Sequence, residues 1–180
     1  MTPGTTLHLR PHPLVLIVET DAASRERYAQ VLLGRGYAVA HAHNGSQAME
    51  LVRHLAPDIV VTDLELPGID GRELCRRVKA EPALGEIPVI ALADKSVPPW
   101  LLNHPGRREF ESILVKPYRT DMLLETIDRC LIAAVAAQEN RLNAQPADER
   151  ASRADPIGQP RMAKADLGEL TPRRQSVEPH

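Results

Sequence analysis

What most constrains this chain is a rhythm. Five short, largely apolar runs, Leu14–Val18, Tyr37–Ala42, Ile59–Thr62, Pro88–Leu92 and Ile113–Val115, are separated by segments whose apolar residues recur at helical spacing. A strand covered on both faces shows no in–out alternation, so such runs read as strands of a parallel sheet sandwiched between helices. The intervening segments carry helix signals. Asp21 caps a helix with Tyr28, Val31 and Leu32 on one face, ended by Gly34 and Gly36. Asn44-Gly45 marks a turn, and Ser46 caps a helix striped by Ala48, Leu51, Val52 and Leu55. Arg72–Ala80 turns Leu74, Cys75 and Val78 inward, and Thr120 caps a last helix running through Met122, Leu123, Ile127 and Leu131 towards residue 138. Right-handed crossovers then leave few topologies.

Composition narrows the class. The 180 residues are 43% apolar but only 3% aromatic, so a single core must be aliphatic. A net charge of −2, with no recognition helix or basic patch, argues against a nucleic-acid partner. Cys75 and Cys130 are distant and lack metal spacing, which fits small core residues in a reducing compartment. No secretory signal precedes Leu14–Val18, no apolar run reaches membrane-spanning length, and no basic block would hold the chain on a membrane. The expectation is a cytoplasmic protein without a membrane partner. Residues 1–12 read as a flexible leader and 13–138 as one domain. From 139 to 180, Pro, Arg, Ala, Asp, Glu and Gln dominate without an apolar stripe, which predicts a disordered tail.

In open parallel sheets, chemistry sits at the carboxyl ends of the strands. Glu19 follows the first run, Asp63 the third and Lys116 the fifth. Three charged groups converging on one rim require an explanation beyond solvation. Other polar candidates are weaker. His41 and His43 point the same way on a strand but have no third ligand, so they read as exposed strand-end residues, and His54 as a surface residue. Arg72, Arg76 and Arg77 read as a solvated helix face. Trp100 is either an anchor under a loop or a partner contact.

Five motifs in order, IVE (Ile17–Glu19), NGSQA (Asn44–Ala48), DLELPGIDG (Asp63–Gly71), IPVI (Ile87–Ile90) and VKPY (Val115–Tyr118), carry a resemblance. Over residues 13–138 the chain resembles the receiver domain of two-component response regulators. The resemblance implies a flavodoxin-like, doubly wound five-stranded sheet of order 2-1-3-4-5, with helices on both faces. It implies phosphoryl transfer from a histidine kinase or phosphotransfer protein to Asp63, and a downstream protein target that reads the result. It implies Mg²⁺ held by Glu19, Asp63 and the backbone carbonyl of Glu65, with Lys116 paired to the phosphoryl group. Such a protein is not an enzyme in the ordinary sense. The chemistry suits these residue types. Phosphoryl transfer needs positioning and charge neutralisation, Mg²⁺ takes oxygen ligands, and a lysine serves as a point charge. Pro117 stops the strand after Lys116.

The chain departs from the family in four places. The family has two adjacent acids after the first strand, whereas this chain has Glu19-Thr20. Asp21 is better suited to capping than to replacing the lost acid, and Glu65 and Asp94 are further candidates to compensate. The switch hydroxyl that ends the fourth strand is Ala93, and the reporting aromatic is Ile113. VPPW, Val97–Trp100, breaks the helix expected next. Two expectations follow. One is a stand-alone receiver that accepts phosphate on Asp63 with weakened Mg²⁺ binding. The other is a phosphorylation-independent pseudo-receiver, a scaffold using the face of the last two helices. A hydrolase or flavin-type protein on this fold is disfavoured, because no Gly-rich phosphate loop or serine elbow is present.

Overall fold

The computed structural model describes residues 10–96 and 110–144. Its strands are β1 (Leu14–Val18), β2 (Ala38–Ala42), β3 (Ile59–Asp63), β4 (Val89–Ala93) and β5 (Ser112–Val115). Its helices are α1 (Ala22–Gly34), α2 (Gly45–Leu55), α3 (Gly71–Ala80) and α4 (Thr120–Ala144). All pairings are parallel, and the order β2-β1-β3-β4-β5 is the doubly wound order expected. Every residue of the three inner strands is buried, whereas the edge strands β2 and β5 are only partly so. This gradient explains the near-continuous apolar runs of β1, β3 and β4.

Successive residues of each inner strand serve opposite faces. Leu16, Val18 and Val60 pack with α2 and α3 through Ala48, Val52 and Leu74. Val15, Ile17 and Val61 pack with α1 and α4 through Leu32, Leu123 and Ile127. Each fully buried aliphatic side chain of this size contributes about 1.5–3 kcal/mol of transfer free energy. Two largely aliphatic layers therefore hold the rim, with Tyr28 and Tyr37 as the buried aromatics of the second.

Helix starts follow capping chemistry. Asp21 accepts from Ser24 N at 2.7 Å and Asp70 from Glu73 N at 2.8 Å. The cap of α2 is Asn44, not Ser46 as the sequence predicts: Asn44 Oδ1 accepts from Gln47 N at 2.8 Å, and Gln47 Oε1 accepts from His43 N at 2.8 Å in return. Gly45 is then the first helical residue, and its role is close approach: a Cβ there would lie 2.2 Å from Ile69 O.

The segment before β1 is tied down where it is described. Arg10 donates to Leu55 O at 2.8 Å, and His12 Nδ1 lies 2.9 Å from Gly36 O. At the other end α4 continues to Ala144, past residue 138 where the apolar stripe fades, and Arg141 pairs with Glu86 ahead of β4. Residues 145–180, the remaining leader and the Val97–Trp100 stretch lie outside the described residues.

Candidate functional site

β3 ends on Asp63, which is 7% exposed. The chain then doubles back. Leu64 N donates to Leu92 O at 2.9 Å, and Gly71 N donates to Leu64 O at 3.1 Å. This return brings the start of α3 against the acid, where a Cβ on Gly71 would lie 2.3 Å from Asp63 O. The Pro and glycines after Asp63 therefore serve more than a turn. Gly71 lets a helix press on the backbone that carries the carboxylate.

β1 delivers the second acid. Glu19 N donates to Ala42 O at 3.1 Å, and the residue is 5% exposed. Its Oε1 accepts from Asp21 N at 3.0 Å. Arg25 Nη1 donates to the carbonyls of Glu19 and Thr20, each at 2.6 Å, and so pins the β1–α1 loop.

β5 delivers the cation. Lys116 N donates to Ala93 O at 2.7 Å, and the Lys116–Pro117 peptide is cis. Lys116 Nζ lies 2.6 Å from Asp63 Oδ2 and 3.3 Å from Glu19 Oε2. Three residues 97 positions apart at the extremes thus meet on one ammonium. Burial alone would lower the Lys116 pKa, but the hydrogen bond and charge of Asp63, reinforced by Glu19, outweigh it and raise it. The ammonium stays charged.

The two Asp63 oxygens differ. Oδ2 is held by Lys116, whereas Oδ1 faces Glu65 N at 3.4 Å, a long contact. That contact sets the Glu65 backbone beside the acid. The donors available here, two carboxylates and the neighbouring main chain, are all oxygens and fit Mg²⁺ in kind. Among the described residues no group of three His, Cys, Asp or Glu side chains is disposed to hold a metal. Thr20, Asp21, Glu65 and Asp94 are exposed, and the Asp21 carboxylate is engaged as the cap of α1.

The remaining sequence candidates fall outside the trio. Ala93 is fully buried and Ile113 half-buried. His41, His43 and His54 are exposed. Cys75 and Cys130 are buried and not joined in a disulfide, and burial raises the Cys130 pKa. Glu73 accepts from both Arg76 and Arg77 on the solvated face of α3. Two features beside the site were not anticipated from sequence: the Arg25 clamp, and a contact in which Tyr118 donates to the Tyr28 hydroxyl at 2.8 Å. The scarcity of aromatics and the Tyr closing VKPY were the available signals.

Comparison with known proteins agrees with this fold. The family model described as response regulator receiver domain matches residues 15–128. The DNA-binding response regulator MtrA of Mycobacterium leprae is 32% identical over 136 residues, 74% of this chain and 54% of that protein. The transcriptional regulatory protein AfsQ1 of Streptomyces coelicolor is 37% identical over 84 residues, 47% of this chain and 36% of that protein. The chain therefore spans about half the length of MtrA or less of such relatives. Among solved structures, the signal receiver domain of a signal transduction histidine kinase from Syntrophus aciditrophicus matches with TM-score 0.62 and 30% identity, covering 67% of this chain and 91% of that one. The N-terminal domain of a response regulator receiver protein from Methanoculleus marisnigri matches with TM-score 0.54 and 28% identity, covering 64% and 94%. No helix among the described residues is long and apolar enough to cross a membrane.

Proposed function

The chain belongs to the response regulator receiver family, and on that premise we propose that Asp63 accepts a phosphoryl group from a histidine kinase or phosphotransfer protein and that a protein partner reads the product. One observation carries the reading: Lys116 Nζ lies 2.6 Å from Asp63 and 3.3 Å from Glu19, on a rim held by two buried cores. A buried acid with a resident counter-cation is ready to receive a group more negative than itself.

The step balances simply. Asp63 Oδ1, the less encumbered oxygen, attacks phosphorus; the P–N bond to the donor imidazole breaks as the P–O bond forms, and the imidazole nitrogen keeps the electron pair and takes a proton. Lys116 stays on the Asp63 side and offers its charge to the incoming phosphoryl oxygens. Glu19, Asp63 and the Glu65 carbonyl would hold Mg²⁺, which when bound neutralises charge on the transferred group. Thr20 supplies a neutral oxygen where the family has a second acid, so this site binds the metal weakly.

The test uses a small phosphodonor. Acetyl phosphate with Mg²⁺ is expected to give a base-labile adduct by intact mass, absent in Asp63→Asn. Failure to form one at any Mg²⁺ concentration would favour the second reading, a phosphorylation-independent scaffold. The observation behind that reading is Ala93, buried at the position of the switch hydroxyl.

A further inference from the structure

Resting on the acceptor reading above, we infer that the Tyr118–Tyr28 contact is the switch of this receiver, delivering the state of Asp63 to α1 rather than to the β4 side of the rim. Tyr118 lies two residues beyond Lys116. Its hydroxyl donates to that of Tyr28 at 2.8 Å, and the two rings stack with centroids 6.5 Å apart and planes 17° from parallel. Tyr28 is a buried residue of α1 that shares a core with Leu32, Leu123 and Ile127. Arg27 sits 5.8 Å over its ring, so the contact reaches a charged surface side chain.

The route follows from what can and cannot move. Phosphorylation replaces the single carboxylate charge of Asp63 with close to two charges on the phosphoryl oxygens, so the Lys116 ammonium, now shared between Asp63 and Glu19, is drawn from Glu19 towards the phosphoryl group on Asp63. Its backbone is held by Ala93 O, and Pro117 has a fixed φ. Adjustment therefore passes to the residues that follow, where the first side-chain hydrogen bond towards a neighbouring helix is Tyr118 to Tyr28. The Tyr118 hydroxyl also feels the site through space. Its pKa is raised first by burial, then by Tyr28, and then by the charges of Glu19 and Asp63. On the β4 side neither Ala93 nor Ile113 offers a side-chain polar group. One hydroxyl–hydroxyl bond biases a two-state equilibrium about fivefold, small enough for a new phosphoryl charge to overturn.

The chain has three tyrosines, Tyr28, Tyr37 and Tyr118, so this chain labelled with 3-fluorotyrosine gives a simple fluorine spectrum. Tyr37, whose hydroxyl bonds Asp128, serves as the internal control. Acetyl phosphate and Mg²⁺ should shift the Tyr28 and Tyr118 signals in step with adduct formation, leave Tyr37 unmoved, and shift nothing in Asp63→Asn. Tyr28→Phe, which keeps the ring, should form adduct at a rate close to the native chain's while the Tyr118 response shrinks severalfold. An adduct with static Tyr28 and Tyr118 signals, or a Tyr118 response intact in Tyr28→Phe, overturns this inference and leaves the acceptor reading standing. Absence of any adduct overturns both.

Discussion

Two halves of one rim carry different chemistry. Where β1, β3 and β5 end, Glu19, Asp63 and Lys116 form a nearly buried ionic cluster, with its loops tied by Arg25 and Gly71. Where β4 ends, the rim is the methyl group of Ala93, fully buried, with half-buried Ile113 on the neighbouring strand. On the proposed reading, the first half supplies the acceptor carboxylate and its counter-cation, without the second acid. The second keeps the backbone geometry, since Lys116 N still donates to Ala93 O at 2.7 Å, but has lost the side-chain groups that would sense a phosphoryl group. Accepting a group and reporting it are thus separable demands on the same fold, and substitution can remove one while the sheet holds the other in place.

That contrast can be broken most decisively at Lys116. Lys116→Met should slow adduct formation by about 100-fold, because a preorganised charge facing the transferred group is removed; time courses at saturating phosphodonor would show it, and an unchanged rate would mean the ionic half is only structural. Thr20→Asp comes next. Restoring a carboxylate should tighten Mg²⁺ binding roughly tenfold, as measured by calorimetric titration, whereas unchanged affinity would mean that another oxygen already serves.

Ala93→Thr addresses the apolar half. A hydroxyl there should alter the lifetime of the adduct by about fivefold, the worth of one hydrogen bond. At a fully buried position it should also lower stability by about 1–3 kcal/mol through overpacking. Thermal melts and adduct decay would separate the two effects. The smallest effect concerns Asp21, whose carboxyl the hydrogen bond from Ser24 holds below its ordinary value of 3.8. A depressed folded pKa means that the charged cap stabilises above the unfolded pKa, and that this contribution is lost as pH falls through the folded one. Asp21→Asn caps as well, so it should flatten that part of the acid limb in pH-dependent melts. A loss of Mg²⁺ affinity instead would reassign Asp21 to the metal.

The sheet was legible because its strands are short, apolar and regularly spaced: β1 matches its predicted bounds, β2, β3 and β5 differ by one residue at one end, and β4 is shifted by one residue at both ends. The trio was legible because strand ends in such sheets share an edge. The errors lie where two residues compete for one local role. In Asn44-Gly45-Ser46 either polar residue can cap; the structure selects Asn44 because Gly45 must pass against Ile69, a contact that local pattern does not reveal. The end of α4 was hidden for a similar reason. Residues 139–144 lack an apolar stripe, but Arg141 finds Glu86, which is 55 positions away in sequence. Tyr28 and Tyr118, separated by 90 positions, could not be paired by any local rule.

The contact between Gly71 and the Asp63 carbonyl has a consequence for inheritance and design. Because the near neighbour is main chain, no rotamer change can make room for even one methyl group there. The helix after Asp63 and the acid itself form one indivisible unit. A chimera that exchanges either without the other would move the Asp63 carboxylate, whereas a graft spanning Asp63 through Gly71 would carry its height above the sheet along with it.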